Sequence, residues 1–206
     1  MNSEEYAACQ KFLDAVKSDF NAFAEAVDMQ EIEEAAQLIL DARKNGSRVH
    51  ISGIGKPAHI AEYIASLMSS TGTPTYYLHG TEAVHGSCGQ LVPGNIVFFI
   101  SNSGETAEMK ATVTAVKNNG CKVIGVSGNR NSWLARQSAV HLYAGVPLEG
   151  GPLNRAPRMS ILAETFVLQV LSVYLQSYAG ITPQQYVKWH PGGALGKLRA
   201  EEEAAC

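Results

Sequence analysis

The sequence lacks the features of a disulfide-bonded, nucleic-acid-binding or membrane protein. Its four cysteines are scattered and form no C-x-x-C pair, which argues against a disulfide framework and a zinc ribbon. With 16 Lys and Arg against 19 Asp and Glu, the net charge of -3 gives no electrostatic footprint for nucleic acid. The acidic start does not resemble a signal peptide, and no apolar stretch reaches the ~18 residues of a membrane span. We therefore expect a soluble cytoplasmic protein with no nucleic-acid or membrane partner.

The length and composition favour one enzyme-like domain. The 206 residues are 46% hydrophobic and 17% charged, which is enough apolar material for a three-layer core. Between Ser3 and Asn45, apolar side chains recur every three or four residues and predict two helices, the second stopped at Asn45-Gly46. We expect residues 1–45 to form a helical extension that packs on the same domain as residues 46–206.

From Arg48 onward, short β-branched runs alternate with helical segments. The predicted strands are 49–51, 75–78, 96–100, 123–126 and 140–142. The predicted helices between them are 58–70, 105–118 and 133–137. This alternation predicts an α/β fold, a three-layer α/β/α sandwich with a five-stranded parallel sheet, whose ligands bind at the carboxyl ends of the strands.

Two segments near the carboxyl end have a different character. The stretch 160–178 is apolar nearly all round and predicts a long buried helix, partly in a subunit interface. The acidic run 201–203 predicts a frayed, solvated end.

The segment Ser101 to Thr106 follows an apolar strand and opens a helix. Backbone N–H groups at a helix start are unpaired, and hydroxyl side chains add donors, so this sequence predicts a phosphate site. The alternative is ordinary capping, with Asn102 as N-cap and Glu105 completing a capping box.

A second turn, 52–56, follows the first strand with the sequence SGIGK. Gly53 and Gly55 leave room for a ligand to approach the backbone, and Lys56 supplies a cation. It is neither a dinucleotide fingerprint nor a Walker loop, and a tight turn with a surface lysine explains it equally well on its own.

Five motifs in chain order resemble the sugar isomerase (SIS) domain of the D-arabinose 5-phosphate isomerases. They are GIGK at 53–56, STGTP at 70–74, HGTEAVHG at 79–86, SNSGET at 101–106 and HPGGALG at 190–196. The resemblance implies the SIS fold and interconversion of ribulose 5-phosphate and arabinose 5-phosphate for synthesis of Kdo, an acid of lipopolysaccharide or capsule. It also implies a homotetramer with sites shared between subunits. Many members carry two CBS modules after this domain, and we expect a form without them.

The resemblance also implies roles for individual residues. The substrate phosphate would be held by Ser52, Ser101, Asn102, Ser103 and Thr106. The catalytic polar residues would be Lys56, His85, Glu108, Glu149 and His190. Moving a carbonyl between C1 and C2 requires a base, an acid and a donor to the enediolate oxygen, and these residue types supply them without a cofactor.

For most of these side chains a structural explanation stays open. Glu149 could be an exposed loop acid, and His190 a loop histidine packed beside Trp189. Glu108 could simply stabilise the helix dipole. His79, Glu82 and His85 could suggest a metal, but no fourth ligand is evident, so we expect none.

Two stretches depart from the family pattern. HGSCG at 85–89 stands where HGDLG is expected, so Ser87 replaces a carboxylate. EGGPL at 149–153 and RAPR at 155–158 stand where EACPL and LAPT are expected, which introduces Gly150, Gly151, Arg155 and Arg158. These changes leave open a related phosphosugar isomerase of different specificity. A phosphosugar-sensing module without catalysis is the third possibility.

Overall fold

Five parallel strands form the centre of the protein, as the sequence predicts. The computed structural model describes residues 3–203, so Cys206 lies outside the described residues. The strands are β1 Val49–Gly53, β2 Thr75–Tyr77, β3 Ile96–Ile100, β4 Lys122–Ser127 and β5 Val140–Tyr143. Their order is β2-β1-β3-β4-β5, with β1 paired to β3 from Val49↔Ile96 to Gly53↔Ile100. The chain therefore reverses its direction of winding beside β1, where open parallel sheets bind ligands.

The N-terminal helices are less regular than predicted. The chain runs through α1 Ser3–Ala15, a π-helical turn Val16–Phe20 and α2 Asn21–Glu25, and then enters α3 Met29–Lys44. Asp28 caps α3 by accepting from the Gln30 amide at 2.9 Å. Phe20 and Phe23 place their rings 5.3 and 6.3 Å from that of Phe166, so these helices pack on the domain core.

Side chains of alternating residues on the central strands fill two separate core layers. The helices on the sheet are α4 Lys56–Ser70, α5 Ala107–Asn118, α6 Trp133–Gln137 and α7 Met159–Ala179. Phe98 belongs to the layer with α3, α4 and α7, while its neighbour Phe99 belongs to the layer with α5 and α6. Both rings are at most 1% exposed. Because both faces are covered, β3 is a continuous apolar run with no polar alternation.

Helix α7 is the long apolar helix, but it is not buried all round. Leu162, Val173 and Tyr178 are 39%, 66% and 62% exposed. Its 21 residues are long and apolar enough to span a membrane, contrary to the expectation from sequence. Half of its apolar stretch is buried inside the domain. Core helices of soluble proteins share this length and composition.

The carboxyl-terminal segment is more ordered than expected. It forms α8 Pro183–Trp189, a 3₁₀ turn Ala194–Gly196 and α9 Ala200–Glu203. Thr182 and Gln185 form a reciprocal capping box at the start of α8. The prediction of a frayed end at 201–203 was wrong, because the Glu202 side chain accepts from the Arg199 amide at 2.9 Å and caps α9.

Candidate active site

The predicted phosphate loop, residues 101–106 and named the phosphate loop below, lies at the carboxyl end of β3. Helix α5 begins at Ala107 with Thr106 as its N-cap, so the alternative interpretation of Asn102 as N-cap was wrong. Glu105 does not complete a capping box either. Its carboxylate accepts from the Trp133 amide at 2.7 Å and pairs with Lys110 at 2.5 Å. The contact between Glu105 and α6 therefore fixes the loop, and the polar groups of the loop are not used to cap α5 in a capping box.

Within the loop, hydroxyl groups organise the backbone. Ser101 Oγ accepts from the Gly104 amide at 3.3 Å and lies 3.3 Å from Thr106 Oγ1. Ser103 Oγ accepts from the Glu105 amide at 3.2 Å. In residues 3–203 the amides of Asn102, Ser103 and Thr106 have no acceptor. Three open amides and the start of α5 make this turn suitable for an anion.

A polar chain supports the loop from behind. Gly104 has φ +65°, and a side chain there would place its Cβ 2.4 Å from Ser132 Oγ. Ser132 Oγ lies 3.2 Å from Ser127 Oγ, which lies 2.8 Å from His141 Nε2. Burial lowers the pKa of His141, which favours a neutral ring in this chain. The loop therefore rests on buried hydroxyls that fix its position.

The turn after β1 meets the same edge of the sheet. Ser52 is fully buried, and its hydroxyl has no partner in residues 3–203. A side chain on Gly53 would lie 2.7 Å from the Pro57 carbonyl carbon, so glycine is required for α4 to start this close to the strand. Gly55, with φ +68°, is the N-cap of α4, and Lys56 is exposed in its first turn.

The segment after β2 is the third part of this edge. Gly80 packs over β1, because a Cβ there would lie 3.4 Å from Ser52 Oγ, and its carbonyl accepts from Thr112 of α5 at 2.5 Å. His79 Nδ1 accepts from the Glu82 amide at 3.2 Å. His85 ends the 3₁₀ turn Glu82–His85 and is exposed. Within residues 3–203, no three His, Cys, Asp or Glu side chains are grouped so as to hold a metal ion.

Glu149 is not a free loop acid. Its Oε2 accepts from the backbone N–H groups of Arg158, at 2.6 Å, and Ser160, at 3.2 Å. Arg158 is the N-cap of α7 and Ser160 its second residue, so the carboxylate sits at the positive end of this 21-residue helix. Asn154 fixes the backbone by accepting from the Glu149 amide at 2.7 Å.

A second carboxyl group, Glu164, was missed by sequence reasoning. It is 0% exposed, and neither carboxyl oxygen has a partner in the described residues. Burial, with a smaller contribution from the negative charge of Glu149, raises the pKa of Glu164 to about 8. The signal was present in the sequence, since Glu164 is the single charged residue between 159 and 179.

Of the remaining predicted side chains, Lys56 and Glu108 lie near the carboxyl edge of the sheet, and His190 is remote from it. Lys56 lines a groove with Tyr63, Pro157 and Ile161, so it faces the segment that carries Glu149. Glu108 is exposed in the first turn of α5, and no ion pair between Lys56 and Glu108 occurs in the part of the chain that is described.

His190 lies at the opposite end of the domain. Its ring stacks on Tyr186 with centroids 3.9 Å apart, and its Nδ1 is 2.7 Å from the Tyr186 carbonyl oxygen. The adjoining Trp189 packs beside Gly72, which follows the carboxyl end of α4. The 15 residues of α4 span roughly 22 Å, so Trp189 and the adjoining His190 lie toward the end of the domain remote from the start of α4. One chain does not bring His190 together with the other predicted residues.

Two departures from the family pattern are coupled in space. A Cβ on Gly151 would lie 2.3 Å from Arg158 Nη1, so the guanidinium occupies the space that a side chain at 151 would need. Arg155 and Arg158 line a groove with Pro152, Leu153 and Ala156. Ser87 begins the 3₁₀ turn Ser87–Gln90. Gly151 and Arg158 therefore depend on each other, because the arginine side chain fills the space beside Glu149 that the glycine leaves open.

Comparison with known proteins agrees with this architecture. The SIS domain matches residues 43–174. The chain is 37% identical over 164 residues to "Arabinose 5-phosphate isomerase KdsD" of Pseudomonas aeruginosa, covering 80% of this chain and 49% of that protein. It is 38% identical over 150 residues to the protein of the same name from Escherichia coli K12, covering 73% and 46%. The chain thus spans about half the length of the curated relatives that it matches.

Comparison with solved structures supports the same fold. The structure of E. coli CFT073 c3406 in complex with arabinose 5-phosphate superposes with a TM-score of 0.77 at 30% identity, covering 93% of this chain and all of that one. The family assignment rests on the five-stranded parallel sheet, on its strand order and on the match of residues 43–174 to the SIS domain. The chain belongs to the SIS domain family.

Proposed function

We propose that the protein is an aldose–ketose isomerase that interconverts D-ribulose 5-phosphate and D-arabinose 5-phosphate, as a source of Kdo precursors for lipopolysaccharide or capsule. The observation that carries the proposal is the phosphate loop, whose open amides lie at the edge of the sheet shared with Ser52 and the start of α4. The similarity to a structure solved with arabinose 5-phosphate, matched over its whole length, supports the choice of sugar.

In the proposed reaction, the substrate phosphate binds residues 101–106 and Ser52, and the sugar chain extends toward Lys56 and Glu149. Glu149 removes the proton on the carbon next to the carbonyl, and the resulting cis-enediol(ate) receives a proton on the neighbouring carbon. Lys56 and His85 donate to the oxygen that becomes negatively charged. Glu108 orients Lys56 or a substrate hydroxyl. Proton transfer between adjacent carbons by these side chains needs no metal or organic cofactor.

The assembly proposed is a cytoplasmic homotetramer with shared sites. In its own chain, His190 adjoins Trp189, which packs at the carboxyl end of α4, whereas Lys56 lies at the start of that helix. A role for His190 in sugar ring opening or proton transfer therefore requires that it reach the site of another subunit. The exposed apolar side chains of α7, Val173 and Tyr178, supply a surface for subunit contact.

A related isomerase with a different sugar is the second candidate. It is favoured by one observation, the arginine that fills the space above Gly151 beside the proposed base. A second cation there suits a substrate with an additional anionic or hydroxyl group at the end remote from the phosphate.

Incubation of the purified protein with ribulose 5-phosphate in deuterated water, followed by NMR, tests both candidates. Appearance of arabinose 5-phosphate labelled at C2, lost in Glu149→Gln, is the expected result. Exchange with a hexulose phosphate but not with ribulose 5-phosphate would favour the second candidate. Binding of sugar phosphates without exchange of any carbon-bound proton would contradict catalysis and indicate a sensing module.

A further inference from the structure

The first two turns of α7 contain two buried polar groups that have no partner in residues 3–203. Ser160 is 1% exposed and Glu164 is 0% exposed, and the hydroxyl and both carboxyl oxygens are unpaired. Among those residues, Glu164 is the one fully buried Asp, Glu, Lys or Arg. A buried carboxyl group without hydrogen bonds is expensive, and such groups persist where function requires them.

Helix geometry directs Glu164 toward Glu149. Residues four apart lie on the same face with Cβ atoms roughly 6 Å apart, and helical side chains lean toward the helix N-terminus. Glu164 therefore shares a helix face with Ser160, the residue whose amide donates to Glu149 Oε2 at 3.2 Å.

The surroundings of Glu164 leave it one charged neighbour. The helices packed on α7 contribute buried apolar residues, including Ile32 from α3 and Ile60 from α4. In the described chain, Glu149 is the one titratable group that acts on Glu164, and both effects on Glu164 favour the neutral acid. A neutral carboxyl group can donate a hydrogen bond, which an ionised one cannot.

We propose that Glu164 is a positioning residue for the isomerisation: a buried neutral acid whose single O–H, unpaired in this structure, donates to the carboxylate of Glu149 in the substrate complex and holds it on the substrate carbon. The inference rests on the proposed function. Glu149 accepts the carbon-bound proton and later returns it, while Glu164 keeps its own proton throughout. The pair therefore never carries more than one negative charge.

Three variants test this role through kinetics. E164Q keeps a neutral donor of the same shape, so we expect kcat within a few fold of wild type. E164L removes the donor, and we expect kcat to fall by about ten- to a hundredfold with little change in KM, because one hydrogen bond to a charged group is lost. T165V is the matched control on the next residue, whose hydroxyl already donates to the Ile161 carbonyl, and it should behave as wild type.

Two kinetic results would overturn the proposal. Wild-type kcat in E164L would show that the carboxyl group has no part in the reaction. A loss in E164Q as large as that in E149Q would show that Glu164 acts in its ionised form. Because E164L replaces a buried carboxyl with an apolar side chain, circular dichroism is expected to show a folded protein.

Infrared spectroscopy separates this inference from the proposed function. The carbonyl stretch of a buried, protonated carboxyl group should be present at neutral pH in wild type, absent in E164Q, and unchanged in T165V. The band without turnover of any sugar phosphate would contradict the proposed isomerase and not the neutral acid. Turnover without the band would contradict the neutral acid and not the isomerase.

Discussion

Replacing Glu164 with glutamine should change how the stability of the protein depends on pH. The pKa of this carboxyl is raised from 4.5 to about 8 in the folded protein, so folding requires it to keep a proton that the unfolded chain releases. Its contribution to stability is therefore fully present below pH 4.5 and is lost as the pH rises toward about 8. At about pH 7.5, the proton uptake costs the folded state roughly 4 kcal/mol, at ~1.4 kcal/mol for each pH unit.

Urea unfolding followed by circular dichroism, at a fixed protein concentration, measures the effect. The free energy of unfolding of E164Q minus that of wild type should rise by about 1.4 kcal/mol per pH unit between roughly pH 5 and 7.5. The buried glutamine amide of E164Q destabilises the folded protein equally at every pH. The pH dependence of the difference in unfolding free energy is therefore diagnostic, and its absolute value is not. E33Q, which changes an exposed glutamate of α3, is the control and should leave the slope unchanged. Equal slopes for wild type and E164Q would refute the reasoning.

Further predictions concern the site and the core. E149Q and H190A should each reduce kcat by about 10²- to 10⁴-fold while sparing phosphate affinity, and unchanged rates in both would remove the proposed acid–base pair. Mixed oligomers of these two inactive variants should regain about a quarter of wild-type activity if each site takes the two residues from different subunits, and none if one subunit supplies both. S103A should raise KM by severalfold with little effect on kcat, because its hydroxyl orders the phosphate loop. Burial lowers the pKa of His50, so its contribution to stability is lost as the pH falls below 6.5, and H50L should lose less stability than wild type in acid unfolding titrations.

The elements that the sequence predicted correctly are those set by local pattern. The run from Ile96 to Ile100 is apolar throughout, and burial on both faces of a parallel sheet explains both the pattern and the strand. The predicted start of α5 at Glu105 is two residues early, because the helix begins at Ala107 and Glu105 is not helical. Its carboxylate instead binds the amide of Trp133, 28 residues away, and no local rule contains that contact.

The sequence predicted which residue types form the site more fully than it predicted how they are arranged in space. The phosphate loop and Glu149 lie at the predicted edge of the sheet, and their catalytic roles stay predictions. The position of His190 depends on the path of α7 and α8 around the domain, which spacing along the chain cannot give. Glu164 was overlooked because apolar residues surround it in the chain, although one acid in such a helix is itself a signal.

The open amides of the phosphate loop have an evolutionary consequence. Every residue except proline carries the same backbone N–H, so substitutions of the exposed side chains at Asn102 and Ser103 leave these donors in place. In the proposed enzyme, the backbone donors to the substrate phosphate are therefore kept whichever side chains occupy these two positions, although loss of the Ser103 hydroxyl weakens the order of the loop. The lining near Gly151 and Arg158 consists of side chains and has no such protection. In the proposed enzyme, the sugar that is accepted can therefore change through this lining while the backbone contacts to the phosphate are kept.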